Sequence, residues 1–312
     1  MTIDPRRLRV LRALADHGTV TAAAQALYLS PSAVSQQLAA LETEAGQPLL
    51  ERHGRNVRLT APGAVLAAHA TTIAAQLERA EADLAACAAG LAGEVVLAAY
   101  PTAITEIVAP AVAVLRRRTP QVAFQVKDAE GHASLRLLSD GDADVAVAVE
   151  HRETLSDGAA FGDSRLLREP LYAEPFDVVL PPGHRLLGAD RVPLTELADD
   201  PWITPWPGNP VHDVVLHACV QAGFRPRVDS LSDDFRAVSA LVANGAGVAL
   251  VPRTALRGIE LGGAVIRPLE GDRPTRRVFA AVRRGSRTHP LVELALAALH
   301  EESLDLVRRT GP

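Results

Sequence analysis

The chain has 312 residues, of which 48% are hydrophobic and 22% are charged, and its formal net charge at pH 7 is −5. This composition is ordinary for a globular protein with a small module and one or two larger domains, and no apolar stretch reaches the ~20 residues that a membrane span requires. The N-terminus shows no export signal, so we expect a cytosolic protein without a membrane partner.

The two cysteines and the distribution of charge narrow the classes further. Cys87 and Cys219 are far apart in the sequence, which disfavours a disulfide framework or a metal site, and we expect no cofactor. Residues 1–62 contain seven arginines and five carboxylates, a local charge of +2, so the rest of the chain carries −7. A weakly basic N-terminal region on an acidic body suits local contact with phosphates, although charge alone would not identify a DNA-binding protein.

The N-terminal region predicts three short helices. The first begins at Asp4-Pro5 and ends at Gly18. Two more helices, joined by a tight turn, are predicted between Thr21 and Gly46. In the second of these, Ser30-Pro31 provides a capping side chain followed by a proline that fits the first helical position. Aliphatic side chains follow at helical spacing and are expected to pack inward: Val34, Leu38 and Leu41.

The other face of this second helix carries small polar and amide side chains, namely Ser32, Ser35, Gln36 and Gln37. Amides pair bidentately with adenine, and hydroxyls act as adaptable donors or acceptors at base edges. A small, uncharged leading end also allows a helix to enter a major groove. The pattern therefore predicts a DNA-reading helix, and the alternative is an ordinary solvated amphipathic helix.

Two short extended stretches around His53-Gly54 predict a hairpin-like wing. Arg52, Arg55 and Arg58 on this wing are available to backbone phosphates or to a minor groove, and the alternative is a solvated turn with incidental arginines. We favour contact because these arginines lie beside a helix suited to reading bases. The candidate DNA-binding residues are Thr21, Ser30, Pro31, Ser32, Ser35, Gln36, Gln37, Arg52 and Arg55.

A long helix is predicted from Thr60 to about Gly90. Its apolar residues alternate steps of four and three, the a/d pattern of a helix that pairs with a copy of itself or with another helix. Dimerisation matters here because two reading helices set about one helical turn apart read a palindrome. Cys87 on this seam is expected to be a small buried hydrophobe, and a redox switch is the alternative. The candidate dimerisation residues are Leu66, Ile73, Leu77, Leu84 and Cys87.

From Glu94 onward the pattern changes to strands that alternate with helices, which predicts an α/β fold with a parallel sheet covered on both faces. A second series of this kind begins near residue 176, so two lobes are expected. The chain is expected to cross between the lobes near 166–171 and 266–270 and to return to the first lobe with the strand 277–282. Because clefts at the carboxyl ends of parallel strands bind small ligands, an effector site is expected between the lobes.

Several motifs follow one another along the N-terminal region: Ala23-Ala24, Ser30-Pro31-Ser32-Ala33-Val34-Ser35, Leu41-Glu42, Gly46-Gln47-Pro48-Leu49-Leu50-Glu51-Arg52 and Leu59-Thr60-Ala61-Pro62-Gly63. With these motifs the chain resembles the LysR-type transcriptional regulators of bacteria over essentially its full length. The resemblance implies a winged helix-turn-helix, a dimerising linker helix and a two-lobed effector domain like a type 2 periplasmic binding protein. Leu50 stands where the family commonly has Phe, which keeps an apolar side chain there.

The resemblance also implies roles, partners and domain limits. By position, Ser32, Ser35 and Gln36 would contact the groove, and Arg52 and Arg55 the DNA backbone. The implied partners are double-stranded DNA, a small-molecule effector and further copies of the chain in a homodimer or homotetramer, with RNA polymerase as a candidate partner near a promoter. The implied domains are a DNA-binding domain at 1–60, a linker helix at 61–91 and an effector domain at 92–312, with lobe I at about 92–167 and 268–312 and lobe II at about 168–267.

Loops in both lobes supply candidates for the effector site. Tyr100-Pro101-Thr102 follows the first strand and matches the family's effector loop, and its N–H groups and the Thr102 hydroxyl are suited to an anion. In the second lobe, Trp206 either stacks on a flat or apolar ligand or is a structural residue between prolines. Asp233 and Asp234 either contact a ligand or cap the following helix, and we favour the cap. The acidic rim favours a cationic or neutral effector. The candidates are Tyr100, Pro101, Thr102, Glu130, Thr204, Trp206, Asn209 and Asp233.

Two other functions compete with that of a regulator. An enzyme with a DNA-binding appendage is disfavoured, because the chain lacks a Walker loop, a GxSxG elbow and a GxGxxG fingerprint after a strand, and His132, His212 and His217 show no metal spacing. A solute-capture protein is disfavoured because no export signal is visible and the N-terminal module would be unexplained. The sequence therefore predicts a DNA-binding regulator that is not an enzyme.

Overall fold

The structure, a computed structural model, describes residues 3–53, 56–89, 93–130, 132–150 and 166–310. These residues belong to two units, of which the first extends to Ala88 and the second begins at Ala89. Within the described ranges, no helix is both long enough and apolar enough to cross a membrane.

The first unit contains the predicted helices and the predicted wing. Helix α1 begins where the Asp4 carboxylate accepts a hydrogen bond from Arg6 N (2.8 Å) and ends at Gly18, whose φ of 70° is the left-handed conformation that glycine adopts without strain. Both predicted ends of α1 are therefore confirmed. The elements are α1 Pro5–His17, α2 Val20–Ala26, α3 Pro31–Ala45, β1 Leu50–His53, β2 Asn56–Leu59 and α4 Ala61–Ala89.

A carboxylate and a close backbone approach join α3 to the wing and to α4. Glu42 Oε1 accepts hydrogen bonds from Leu49 N (2.9 Å) and Leu50 N (3.0 Å), so it satisfies two backbone donors at the entry to β1. Thr60 donates its hydroxyl to Pro48 O (2.9 Å). A Cβ atom on Gly63 would lie 2.0 Å from the Leu49 carbonyl oxygen, so only glycine fits at this point of α4.

Helix α4 changes its surroundings along its length. Near its start, Ala67 and Ala70 are buried in the core of the first unit, and Leu66 is half-buried against the same core. Further along, Ile73, Leu77 and Leu84 are exposed on the single chain. The side chain of Cys87 lies outside the described residues. Leu77 follows Ile73 by four residues and precedes Leu84 by seven, so these three exposed side chains lie on the predicted seam.

The second unit is an α/β structure with two lobes. Its elements are β3 Gly93–Ala99, α5 Pro101–Ala103, a π-helical segment Ile104–Val108, α6 Ala109–Arg118, β4 Val122–Asp128, α7 His132–Asp140, β5 Val145–Val149, β6 Leu166–Leu180, a short 3-10 turn Leu194–Leu197, β7 Pro201–Thr204, α8 Pro210–Gln221, β8 Arg227–Leu231, α9 Phe235–Ala243, β9 Ala249–Pro252, β10 Val265–Pro268, β11 Thr275–Arg283 and α10 Pro290–Thr310. A further 3-10 turn, Arg284–Ser286, lies between β11 and α10 along the chain.

The main sheet is mixed. Its strand order is β10-β6-β11-β5-β3-β4, with β9 also paired to β6. Strands β4, β3 and β5 are parallel, whereas β11 is antiparallel to both β5 and β6. The prediction of a parallel sheet is therefore correct for the first three strands and wrong for β11, because that strand comes back from the second lobe and enters the sheet from the opposite end.

One continuous strand carries the chain from lobe I to lobe II. Residues 166–175 of β6 pair with β11, and residues 176–180 pair with β9 and β10. The two-lobed architecture is confirmed, and the passage lies near Pro175 where the sequence pattern indicates 166–171. Each lobe has its own apolar core, around Leu97 and Ile107 in lobe I and around Phe176 and Trp202 in lobe II.

A first prediction concerns the stability of the chain and follows from the close approach of Gly63 to Leu49. Gly63→Ala is expected to lower the free energy of unfolding by about 1–3 kcal/mol, because the new methyl group meets a backbone carbonyl that cannot rotate away. Urea unfolding of the full chain followed by circular dichroism measures the change. Gly188→Ala is the control, since a Cβ there has open space around it. An equal effect of the two substitutions would contradict the proposed packing.

Candidate nucleic-acid interface and effector site

Helix α3 separates an apolar face from a polar one. Val34, Leu38 and Leu41 are buried in the core of the first unit. Because this packing fixes the rotation of the helix, the opposite face is turned outward. The exposed side chains are Ser32, Ser35 and Gln36, Gln37 is half-buried, and Thr21, Ser30 and Pro31 are exposed near the same end.

The N-terminus of α3 is capped as predicted. Ser30 Oγ accepts a hydrogen bond from Ala33 N (3.2 Å) and lies 3.0 Å from Ser32 Oγ, and Pro31 occupies the first helical position. The Ser30 hydroxyl is therefore held by its own helix. The neighbouring Thr19 caps α2 in the same way through Ala22 N (3.1 Å).

The arginines of the first unit differ in their surroundings. Arg7 forms an ion pair with Glu44, and Arg12 lies 3.9 Å from the Asp16 carboxylate. Arg58 is exposed on β2. Arg52 is paired through its backbone with Val57 in the wing, as predicted for an extended stretch, but its side chain and the whole of Arg55 lie outside the described residues.

In lobe II, three of the predicted effector residues are bonded to one another. Asp233 Oδ1 accepts hydrogen bonds from Trp206 N and from Asn209 Nδ2, both at 3.0 Å, and Asn209 Oδ1 caps α8 by accepting from Val211 N (2.9 Å). The favoured capping role holds for Asp234, which accepts from Arg236 N (2.8 Å). It does not hold for Asp233, because Asp233 is turned toward the 206–209 loop instead.

Two further lobe II residues lie at opposite extremes of exposure. Thr204 is fully buried and donates its hydroxyl to Pro205 O (3.2 Å), an oxygen that also lies 2.8 Å from His212 Nδ1. Its side chain therefore faces the protein interior, and the prediction of a ligand contact for it is not supported by this geometry. Trp206 is 56% exposed, so it is not wedged between the prolines that flank it.

In lobe I, the predicted effector loop is engaged by an arginine that sequence reasoning missed. The side chain of Arg276 is 2% exposed, and its Nη2 donates to Thr102 Oγ1 (3.0 Å). Its Nε donates to Glu174 Oε1 (2.6 Å), and its guanidinium lies 5.0 Å from the centre of the Tyr100 ring. The Thr102 hydroxyl oxygen thus accepts from a cationic donor, and Tyr100 is buried, so the Tyr100 side chain does not line an open surface. Pro101 and Glu130 are exposed.

The buried charge of Arg276 is balanced within the same cluster. The second oxygen of Glu174 accepts hydrogen bonds from Thr254 N (3.1 Å) and Thr254 Oγ1 (2.8 Å), so the carboxylate is saturated. Nearby, Glu106 of the π-helical segment pairs at 2.9 Å with Arg257, which follows β9. This ion pair joins lobe I to lobe II.

Two tyrosines complete the cluster. Burial raises the pKa of Tyr100 to about 12, and burial likewise raises the pKa of Tyr172 well above 10. Both phenols therefore stay protonated at neutral pH. Apart from each other, neither phenol oxygen has a hydrogen-bond partner in the described ranges. The sequence signal for this cluster is weak, since it consists of single charges, Glu174 and Arg276, within apolar strands.

The comparisons with known proteins agree with this geometry. The model of the bacterial regulatory helix-turn-helix protein, lysR family, matches residues 5–64, and the model of the LysR substrate binding domain matches residues 88–304. The chain belongs to the LysR family. As a LysR-type regulator, it combines a helix-turn-helix DNA-binding domain with a substrate-binding effector domain.

Several relatives and solved structures are similar to this LysR-type protein. A probable hydrogen peroxide-inducible genes activator of Mycobacterium avium is 34% identical over 80% of this chain and 78% of its own length. The nitrogen assimilation regulatory protein nac of Klebsiella aerogenes is 30% identical over 81% and 80%. A Corynebacterium glutamicum OxyR C206 mutant matches with a TM-score of 0.61 at 26% identity over 99% and 94%, and full-length OxyR C199D of Pseudomonas aeruginosa shares the fold with a TM-score of 0.64 at 24% identity over 97% and 95%.

A second prediction concerns the buried ion pair between Glu174 and Arg276 of this LysR-type chain. Glu174→Ala is expected to lower the free energy of unfolding by about 3–5 kcal/mol, because it leaves the Arg276 guanidinium buried without its counterion. Urea unfolding gives the value. The matched control is Glu301→Ala, which removes an exposed ion pair with Arg118 and should cost no more than about 1 kcal/mol. Similar losses in both variants would refute the assigned role of Glu174.

A third prediction concerns the reactivity of the Cys219 thiol. Cys219 is buried in the core of lobe II, and burial raises the pKa of its thiol to about 12. Because the thiolate is the reactive form, this thiol should not react with Ellman's reagent in the native Cys87→Ser variant and should react fully in guanidinium chloride. Rapid reaction of the native variant would show that Cys219 is accessible.

Proposed function

We propose that α3 is the recognition helix and reads operator DNA in the major groove. The observation that carries this proposal is the exposed polar face of α3 above the buried Val34, Leu38 and Leu41. Uncharged hydroxyl and amide groups at the leading end of a helix suit base edges. The groove contacts are assigned to Ser32, Ser35, Gln36 and Gln37, and contacts that position the helix to Thr21, Ser30, Pro31, Arg52 and Arg55.

A second copy of the chain covers the seam of α4 in this proposal. Ile73, Leu77 and Leu84 are exposed apolar side chains at heptad spacing, and such a stripe is buried when two helices pair. Cys87 continues the spacing, whereas Leu66 contributes to the core of its own domain as well. The resulting homodimer presents two recognition helices to two half-sites, and pairs of dimers form a homotetramer.

The effector binds between the lobes in this proposal. The proposed domains are residues 1–60, 61–91 and 92–312, and lobe II begins near Phe176 and not near 168, because residues 166–175 of β6 pair with β11 in lobe I. The Tyr100–Thr102 loop lies on the lobe I side, and the loop that holds Trp206 and Asn209 lies on the lobe II side. Because Glu174 already balances the charge of Arg276, and Asp233 adds a carboxylate, a neutral or cationic effector fits better than an anion. The Glu106–Arg257 pair is placed to respond to a change in the distance between the lobes.

The response to this effector does not depend on the thiol of Cys219. Several of the similar proteins are named as activators of hydrogen peroxide-inducible genes. Peroxide, however, oxidises an accessible thiolate, and Cys219 is a buried thiol with a raised pKa. We therefore assign the protein reversible binding of an effector and not oxidation at Cys219. In this proposal the protein acts in the cytosol without catalytic turnover, and its partner at a promoter is RNA polymerase.

Operator recognition by α3 makes a fourth prediction. The double variant Ser35→Ala/Gln36→Ala should bind an operator duplex, selected by the protein from a random library, about 10- to 100-fold more weakly than the parent chain. Its affinity for a random-sequence duplex should not change, because phosphate contacts supply that binding. Fluorescence anisotropy measures both affinities.

Gln47→Ala is the control for this experiment, since Gln47 is exposed beyond the C-terminal end of α3. It should bind both duplexes as the parent chain does. Unchanged operator affinity in the double variant, or an equal loss on both duplexes, would rule out base reading by these two residues.

A further inference from the structure

The turn between α2 and α3 contains an unusual tyrosine. Tyr28 has a φ of 56°, and it is the one non-glycine residue with a positive φ in the part of the chain that the structure describes. Its side chain is 97% exposed. By contrast, Tyr100 and Tyr172, the other tyrosines of the chain, are buried.

The left-handed conformation of Tyr28 follows from the way α2 ends. Leu29 N donates to Ala24 O (2.8 Å) and Tyr28 N donates to Gln25 O (3.2 Å). This pair of bonds is the Schellman motif, in which the residue after the C-cap must be left-handed and is usually glycine. A side chain at that position strains the backbone. The fold therefore requires the conformation of residue 28 but gains nothing from its phenol ring.

Packing within the domain does not offset the backbone strain of a left-handed tyrosine at position 28. A fully exposed ring buries no apolar surface, and glycine or asparagine would close α2 with less strain. Strain that the domain itself does not use points to a contact outside it. The position of Tyr28 indicates what that contact is. Tyr28 precedes Ser30, the N-cap of α3, by two residues and is therefore close to the end of α3 at which Ser32 is exposed.

We propose that the Tyr28 hydroxyl donates a hydrogen bond to a DNA backbone phosphate at the edge of the groove that α3 enters. This assignment rests on the proposed role of α3 as the recognition helix. Tyrosine is one of the side chains that donate to phosphate oxygens, and such contacts fix the position of a protein on the duplex without reading its sequence. Tyr28 is thus a DNA-positioning residue beside the base-reading face.

The test uses Tyr28→Phe and Tyr28→Gly in the full chain, with Gln47→Ala as the exposed control. Affinities for the selected operator and for a random-sequence duplex of equal length are measured by fluorescence anisotropy over a series of salt concentrations. Tyr28→Phe should weaken binding to both duplexes by the same factor, about 10-fold or more. The slope of log Kd against log salt should stay unchanged, because a phenol brings no charge and releases no counterion.

A second readout separates this role from a structural one. Tyr28→Gly should lose at least as much affinity as Tyr28→Phe while its melting temperature stays the same or rises, because glycine relieves the left-handed strain. Parent-like binding by Tyr28→Phe, a loss confined to the operator duplex, or a lower melting temperature in Tyr28→Gly would each overturn the proposal. If Ser35→Ala/Gln36→Ala keeps full operator affinity while Tyr28→Phe loses affinity on both duplexes, base reading fails and the phosphate contact stands.

Discussion

Burial of Val34, Leu38 and Leu41 against the first two helices holds α3 in a single rotational position. Because the buried face of a helix determines which face is exposed to solvent, the outward direction of Ser35 and Gln36 is a consequence of core packing. Further constraints fix the far end of the same helix. Glu42 binds the first amides of the wing, and the close contact at Gly63 sets where α4 leaves. The surface that we propose for DNA binding is thus positioned by apolar packing, and its exposed residues are polar.

The effector domain depends on a different balance. Arg276 and Glu174 bring opposite charges into the interior, where each would be costly alone, and Thr102 and Thr254 occupy the remaining hydrogen-bonding positions. Thr102, in the loop that we propose for effector binding, accepts a hydrogen bond from Arg276, so a ligand that moved this loop would also disturb the buried ion pair. In the proposed site, this contact would couple ligand binding to the geometry of the lobes.

The features that could be predicted from the sequence are those that depend on neighbours along the chain. The caps at Asp4 and Ser30 and the end of α1 at Gly18 are local events, and the helical spacing of Val34 and Leu38 is local as well. The wing and the alternation of strands and helices follow for the same reason.

Features that depend on distant parts of the chain could not be predicted. Glu174 and Arg276 form an ion pair across the neighbouring strands β6 and β11, although about a hundred residues separate them in the sequence. No rule based on residue spacing predicts such a pair. The antiparallel direction of β11 and the turn of Asp233 toward Asn209 have the same origin, since both are decided when the lobes assemble. The left-handed Tyr28 was missed because its sequence carries no glycine signal at the end of α2.

The most direct test of base reading by α3 is a double-mutant cycle with modified DNA. Adenines of the selected operator are replaced one at a time by 7-deazaadenine, which lacks the N7 acceptor of the major groove, and affinities are measured for the parent chain and for Gln36→Ala. If Gln36 reads an adenine, one position exists at which the modification weakens binding by the parent chain by about 1–3 kcal/mol and leaves binding by Gln36→Ala unchanged. Equal losses in both proteins at every position would contradict base reading by Gln36.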